Sequence, residues 1–528
     1  MDVVLKQLHQ SVTVSPHKKL FWKETILIYF PLSLFIPIMY ELLEIDNYRI
    51  GIFTKEDIKV ETPCLANFDK ETIDIGGLKY KKTFFKGIKE NGYLRPYYSI
   101  PENIGEKFLK VMKREVIPIH ILNSQKLNEK YENCEGELFL FRGAEERRFL
   151  KVFLNLREKH PDKLFFIDCL PEEIPVYAFL GFDIFPYSEE HEKALKNFLE
   201  NRNKVYLEKE ANSSIKTKRL LRIAYKEFSE HLLRNMKIKN EREIYVSTES
   251  LYRPEAVYWR KKIRENYCPH SNFIVLLPCS AKKPYSRSKS HIRFIKSIKN
   301  GIENKKQYYG ITQLILTSPL GVVPRELEDY ADYDIVVTGD WSYEEKHETK
   351  SLLNSILRKV ENPRIIAHLP KEYKDLCEKV EFTDDLTHTI KKYQEEISEG
   401  EDVKFRKVSE FLYGVDIFPG EIKIKKRKHT FEIYSEELLA RYDRKLNLTL
   451  KGAELLYMQK KNYVEIDFEL KGDVFCIGVI DCDENLKAGE DVVIVKNGGV
   501  TGLGKAVVPG YMMKKLERGK AVKVSRSV

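Results

Sequence analysis

Leu277-Pro-Cys-Ser-Ala-Lys-Lys-Pro-Tyr-Ser-Arg-Ser-Lys-Ser-His291 gathers a thiol, four serine hydroxyls, a phenol, an imidazole and four cations into one short stretch. Packed cores exclude Lys and Arg, so this density directly after an apolar run calls for chemistry or a polyanion rather than packing. Cys279 is the candidate nucleophile, since Lys282, Lys283 and Arg287 near it would favour the thiolate. His291 has the ring type that moves protons near neutral pH, with Lys283 as a second proton donor. The competing reading is a basic RNA-contacting loop with an incidental cysteine. A phosphate-cradling loop is disfavoured because its glycines are missing.

The elements around this motif suit a catalytic edge. Phe273 to Leu277, Leu314 to Thr317, Asp334 to Val337 and Arg364 to Ala367 are short apolar runs at βα spacing. Apolar on both faces, they predict a parallel sheet covered by helices, with the site on the loops at the carboxyl ends of its strands. Two such loops, Thr317 to Glu328 and Thr338 to Trp341, add Glu326 and Asp340 as groups that could bind or deprotonate an amine. Helix N-termini favour Asp and Glu equally well.

The chain of 528 residues is long enough for several domains. A division is expected into an extension (1–38), a first α/β domain (39–245), a central α/β catalytic domain (246–395), a small α+β module (405–457) and a C-terminal β module (458–528). With 42% hydrophobic residues the chain can build cores, and its net charge of +10 favours a polyanionic partner only weakly. Eight scattered cysteines, without Cys-x-x-Cys or any metal-ligand spacing, read as reduced thiols of a cytoplasmic protein, with neither metal nor cofactor expected. The apolar run Ile26 to Tyr40 is short for a bilayer and is broken by Pro31 and Pro37, so no membrane anchor is expected.

Toward the C-terminus, the segments beginning at Gly472, Leu486, Gly502 and Arg518 resemble PUA domains in order and spacing. That resemblance implies a small β pseudo-barrel gripping structured RNA. Gly472 and Gly478 would permit close backbone approach, and Arg518, Lys520 and Lys523 would meet phosphates. Upstream, Lys423, Lys425, Lys426 and Arg427 form a basic run that is either a solvated edge strand or a second phosphate contact.

Met39-Tyr-Glu-Leu-Leu-Glu, Arg49-Ile-Gly-Ile-Phe53, Glu61-Thr-Pro63 and Leu180-Gly-Phe-Asp-Ile-Phe-Pro186 resemble landmarks of the tRNA-guanine transglycosylase barrel. The resemblance implies a degenerate TIM-like barrel and a native start at Met39. The family's aspartate nucleophile would stand at Pro186, and proline cannot attack a glycosidic carbon. Base exchange is therefore expected to be lost, with the domain kept as a tRNA scaffold.

Pro278-Cys279, Lys283-Pro284-Tyr285, Ser288 and His291 together resemble the signature of the archaeosine synthase family. That resemblance implies tRNA carrying preQ0 (7-cyano-7-deazaguanine) in its D-loop as substrate. It also implies addition of an amine from lysine, glutamine or ammonia to the nitrile. In this scheme Cys279 attacks the nitrile carbon, His291 or Lys283 protonates the nitrogen, and Tyr285 and Ser288 orient the base. Pro278, Ser280, Pro284 and Ser286 join Glu326 and Asp340 in holding the substrate. A lysine adduct would need a separate radical-SAM partner; a homodimer is compatible with the sequence. The alternatives are direct amine addition with Cys279 structural, a non-catalytic tRNA-binding scaffold, and an active transglycosylase.

Overall fold

The computed structural model describes residues 39–527 except 56–57, 69–71, 76–77, 82–87, 91–92, 96–118, 124–137, 143–145, 202, 239–241, 336–339, 378 and 429. The extension 1–38, with its apolar run, and Thr338 lie outside the described residues.

In the central region every residue of Ile311–Thr317 is buried, as are the first five of Phe273–Pro278. Such strands need cover on both faces. Helices Pro254–Asn266 and Tyr343–Leu357 pack together, as do Lys289–Gly301 and Leu386–Lys392. The five-stranded sheet runs Gly321–Pro324, Ile311–Thr317, Phe273–Pro278, Arg364–Ala367, Glu381–Phe382. All neighbours are parallel except the first pair, where the chain turns back on itself after Thr317. Of the run expected at Asp334 to Val337, the described residues Asp334 and Ile335 do not pair with this sheet. They lie in Tyr333–Ile335, which pairs in parallel with Glu243–Tyr245 instead.

The described strands of the first domain do not by themselves close the expected barrel. The domain's seven-stranded sheet has a parallel core of Cys64–Phe68, Ile184–Pro186, Leu164–Ile167, Leu138–Arg142 and Ile119–Asn123. An antiparallel hairpin, Thr72–Ile75 and Leu78–Lys81, extends the Cys64–Phe68 edge. Among the described residues the sheet is open at both edges, and a three-stranded antiparallel sheet (Met39–Ile45, Arg49–Lys55, Ile58–Thr62) stands apart from it.

Helix Lys404–Tyr413 leads into a four-stranded antiparallel sheet from Lys423–Lys426 to Leu446–Leu448. Its apolar residues share one core with the central domain, where Trp259 and Phe411 lie ring to ring at 4.8 Å. The C-terminal six-stranded sheet shares a core with Met39–Ile45. There Gly519, at φ +105°, is required: a Cβ would stand 2.5 Å from the Leu42 carbonyl oxygen.

Candidate active site

Strand Phe273–Pro278 delivers Cys279 to the carboxyl edge of the sheet, between the ends of two neighbours. On one side Pro278 pairs with Leu316, which places Thr317 beside the thiol. The nearby Thr317 side chain draws the thiol toward its ionised form. On the other side strand Arg364–Ala367 ends in His368, whose amide donates to the Leu276 carbonyl at 3.0 Å.

Beneath the thiol lies a closed set of hydroxyls. The Tyr285 and Tyr333 hydroxyls meet at 2.8 Å, Tyr285 donates to Thr317 Oγ1 at 3.3 Å, and Tyr333 also bonds Thr317. All three residues are buried. The half-buried Lys283 ammonium stands 4.0 Å from the Tyr333 ring centroid. Trp341 and Tyr373 pack nearby with their rings tilted at 53° and centroids 4.7 Å apart, and the Tyr373 phenol is close enough to Cys279 for the two to influence each other.

Burial raises the Cys279 thiol above its ordinary range, against the opposing pull of the Thr317 side chain and Lys283. The expected thiolate-favouring loop is thus corrected, because desolvation outweighs the cations. Lys282 and Arg287 point to solvent. Burial also lowers Lys283, which holds its proton less firmly than a surface lysine.

His291 is not the expected proton relay. It is fully buried, its Nε2–H donates to the Pro278 carbonyl at 3.0 Å, and Arg325 Nη2 donates to its Nδ1 at 2.8 Å. Desolvation first, then Arg325, pull it down to about 3. A ring held neutral between a donor and an acceptor positions the Pro278–Cys279 turn. Arg325 is itself held by Glu328 at 2.9 Å, and Glu328 accepts from the Ser286 amide at 2.8 Å.

This arrangement makes an acid-sensitive fold. The His291 pKa is depressed on folding, so the unfolded chain binds the extra proton between pH 6.5 and about 3. Its contribution to stability is present above pH 6.5 and is lost as pH falls through that window, on the order of 3 kcal/mol. Two of the three tryptophans, Trp259 and Trp341, lie in this domain and report on it by fluorescence. In urea titrations at pH 7 and pH 4, wild type should lose more stability than His291→Gln. Equal losses would overturn the buried neutral assignment.

Other expected residues are placed differently. Tyr285 is sealed in the hydroxyl set and cannot touch a base. Ser288 is buried and caps helix Lys289–Gly301, accepting from the His291 amide at 3.2 Å. Glu326 leaves the cleft altogether: it pairs at 2.8 Å with His270, which precedes the strand at the opposite edge of the sheet. Ser280 closes the loop by donating to the Lys282 carbonyl at 3.1 Å, Pro284 separates Lys283 from Tyr285, and Asp340 is exposed just before Trp341.

His368 was not anticipated. Its Nδ1–H donates to the Thr383 carbonyl at 2.9 Å, which leaves Nε2 as the acceptor, and its half-buried ring stands edge-on to Phe294. Thr317 and Tyr373 complete the set that only the fold brings together. Among the described residues no cluster of His, Cys, Asp and Glu could hold a metal ion.

The RNA-facing candidates are separate from this edge. Lys423, Lys425 and Lys426 form an exposed strand, with Lys425 over the Tyr434 ring and Arg427 paired to Glu432 at 3.2 Å. Arg518 and Lys523 are exposed, while Lys520 is held by Asp473 at 2.7 Å. Gly472 faces open space. Gly478 is explained internally, since a Cβ there would meet the Phe468 ring at 2.5 Å.

A PUA domain model matches residues 451–528, and a domain of unknown function, DUF5591, matches 256–403, the segment that carries Cys279. Archaeosine synthase of Methanocaldococcus jannaschii is 31% identical over 92% of this chain and 99% of its own length. The chain belongs to the archaeosine synthase family. Archaeosine synthase subunit alpha of Thermococcus kodakarensis is likewise 31% identical, over 80% of this chain and 83% of its own. A tRNA-guanine(15) transglycosylase of Methanobrevibacter smithii is similar at 25% identity, over 54% of this chain and 45% of its own. Among the described residues of this archaeosine synthase family member, no helix is long and apolar enough to cross a membrane.

Proposed function

We propose that this protein is a cytoplasmic tRNA-modifying enzyme that adds an amine to the nitrile carbon of preQ0 in the tRNA D-loop. The observation that carries this reading is a half-buried thiol at a strand's carboxyl edge, beside Thr317 and a partly desolvated lysine, with the His368 imidazole at the end of the neighbouring strand.

The Cys279 sulfur adds to the nitrile carbon while a proton reaches the nitrile nitrogen, giving a thioimidate. The neutral amine then attacks the same carbon. The carbon–sulfur bond breaks, an amidine is left, and the sulfur recovers a proton. Lys283, with its lowered affinity for a proton, takes the thiol proton and passes it to the nitrile nitrogen, and His368 Nε2 takes one from the attacking amine and returns it to the sulfur. Thr317 steadies the sulfur as charge collects on it. Free lysine or ammonia serves as the donor, because no glutaminase module is recognisable. A lysine adduct would pass to a separate radical-SAM enzyme.

In this reading the domains divide as 39–245, 246–395, 405–457 and 458–528. The first is a reduced transglycosylase-type barrel without its nucleophile, kept to seat tRNA. Strand Lys423–Lys426 and the exposed Arg518 and Lys523 meet phosphates.

Mass spectrometry of nucleosides from preQ0-containing tRNA, incubated with the protein and lysine, ammonium or glutamine in parallel, tests this. A mass gain with lysine or ammonium is expected. No gain with any donor, despite tight tRNA binding, would overturn the enzymatic reading.

A further inference from the structure

From Asn266 to Ile302 the chain holds seven Lys and Arg residues and no Asp or Glu. Two of the seven are engaged from within: Lys283 lies against Tyr333, and Lys299 lies over the Tyr308 ring at 4.9 Å. The other five, Lys282, Arg287, Lys289, Arg293 and Lys296, are exposed, and none pairs with a carboxylate among the described residues. Several exposed cations elsewhere do pair, as Arg364 does with Glu396, Lys505 with Asp491 and Lys514 with Asp481.

The spacing of these five organises them. Lys289, Arg293 and Lys296 recur at i, i+4 and i+7 on helix Lys289–Gly301, so they form one stripe about 10 Å long. Lys282 and Arg287 continue it onto the loop that carries Cys279. Like charges at i, i+4 weaken a helix slightly, and no internal carboxylate offsets them here. Such a stripe, ending at the reactive thiol, complements an extended polyanion.

We propose that Lys282, Arg287, Lys289, Arg293 and Lys296 form the track along which the tRNA sugar–phosphate backbone lies as its modified base enters the Cys279 cleft. This rests on the tRNA reading given above. It places the substrate's backbone on the catalytic domain itself, in addition to the C-terminal module.

The test is the triple variant Lys289→Gln/Arg293→Gln/Lys296→Gln in the full chain, since glutamine keeps helix propensity. Binding of preQ0-containing tRNA is measured across a salt series, together with kcat and KM for amine transfer. Each lost phosphate contact removes about 0.7 to 0.9 from the slope of log affinity against log salt, so a loss of about 2 is expected. KM should rise about tenfold or more while kcat at saturating tRNA stays within about twofold. Unchanged slope and KM, with wild type modifying tRNA normally, would overturn the track and leave the proposed function standing. A face built for an acidic protein would give that same null result. A reduced slope with a wild type that transfers no amine would keep the track and sink the function.

Discussion

Alanine at Cys279 is expected to abolish amine transfer, by on the order of a thousandfold or more, while tRNA affinity stays within about twofold. The reason is geometric. The sulfur is the strong nucleophile at the carboxyl edge between Thr317 and His368, while Glu326, a carboxylate expected to activate an amine, pairs with His270 elsewhere. After wild-type protein is mixed with preQ0-containing tRNA and no donor, then denatured and digested with RNase and protease, the peptide that carries Cys279 should gain the mass of the RNase-trimmed preQ0 nucleotide. Thr317→Val should slow turnover about tenfold without abolishing it, since it removes a hydroxyl that favours the ionised sulfur. Retained turnover in Cys279→Ala would leave direct amine addition as the mechanism and make the thiol structural.

The part of this site that was legible in sequence is the part carried by one contiguous segment. Phe273 to Leu277 reads as a buried strand from its apolar run, and position alone then puts Cys279 at the catalytic edge. What the residues do there was not legible, because roles depend on burial and partners. His291 and Tyr285 have side chains suited to proton transfer and base contact, yet helix capping at Ser288 turns His291 inward to Arg325 and the Pro278 carbonyl. The Tyr285 hydroxyl is closed off by Thr317 and Tyr333. His368 follows a strand that the apolar pattern does reveal, Arg364 to Ala367, and the same edge argument applied there would have found it. In the first domain, the pairing partners of Ile184–Pro186 are 18 or more residues away along the chain, so barrel landmarks alone do not fix how the sheet closes.

Replacing Asp183 by alanine should have the largest effect on stability, a loss of about 3 to 5 kcal/mol. Arg49, Arg157 and Asp183 are all buried; Asp183 Oδ2 bonds Arg157 and accepts from the Phe165 amide at 3.0 Å, while Oδ1 lies 3.6 Å from Arg49 Nε. Burial, and then the neighbouring Arg49, pull Arg157 down to about 10, so its charge depends on the carboxylate beside it. Without Asp183 two guanidinium groups remain in a space that water does not reach. Removing one of them as well, in Asp183→Ala/Arg157→Met, should restore part of the loss, which distinguishes electrostatics from simple loss of packing. Denaturant unfolding followed by circular dichroism reads both variants; a single variant as stable as wild type would refute the argument. The consequence extends to tRNA. Met39–Ile45 shares a core with the C-terminal sheet, and Tyr511 donates to Asn235 Oδ1 at 2.8 Å across the same junction. Loosening the Arg49 strand should therefore weaken tRNA binding several-fold even though none of these three residues can reach a phosphate. The carboxylate of Leu180-Gly-Phe-Asp-Ile-Phe-Pro186 thus serves this chain by holding a charged core together.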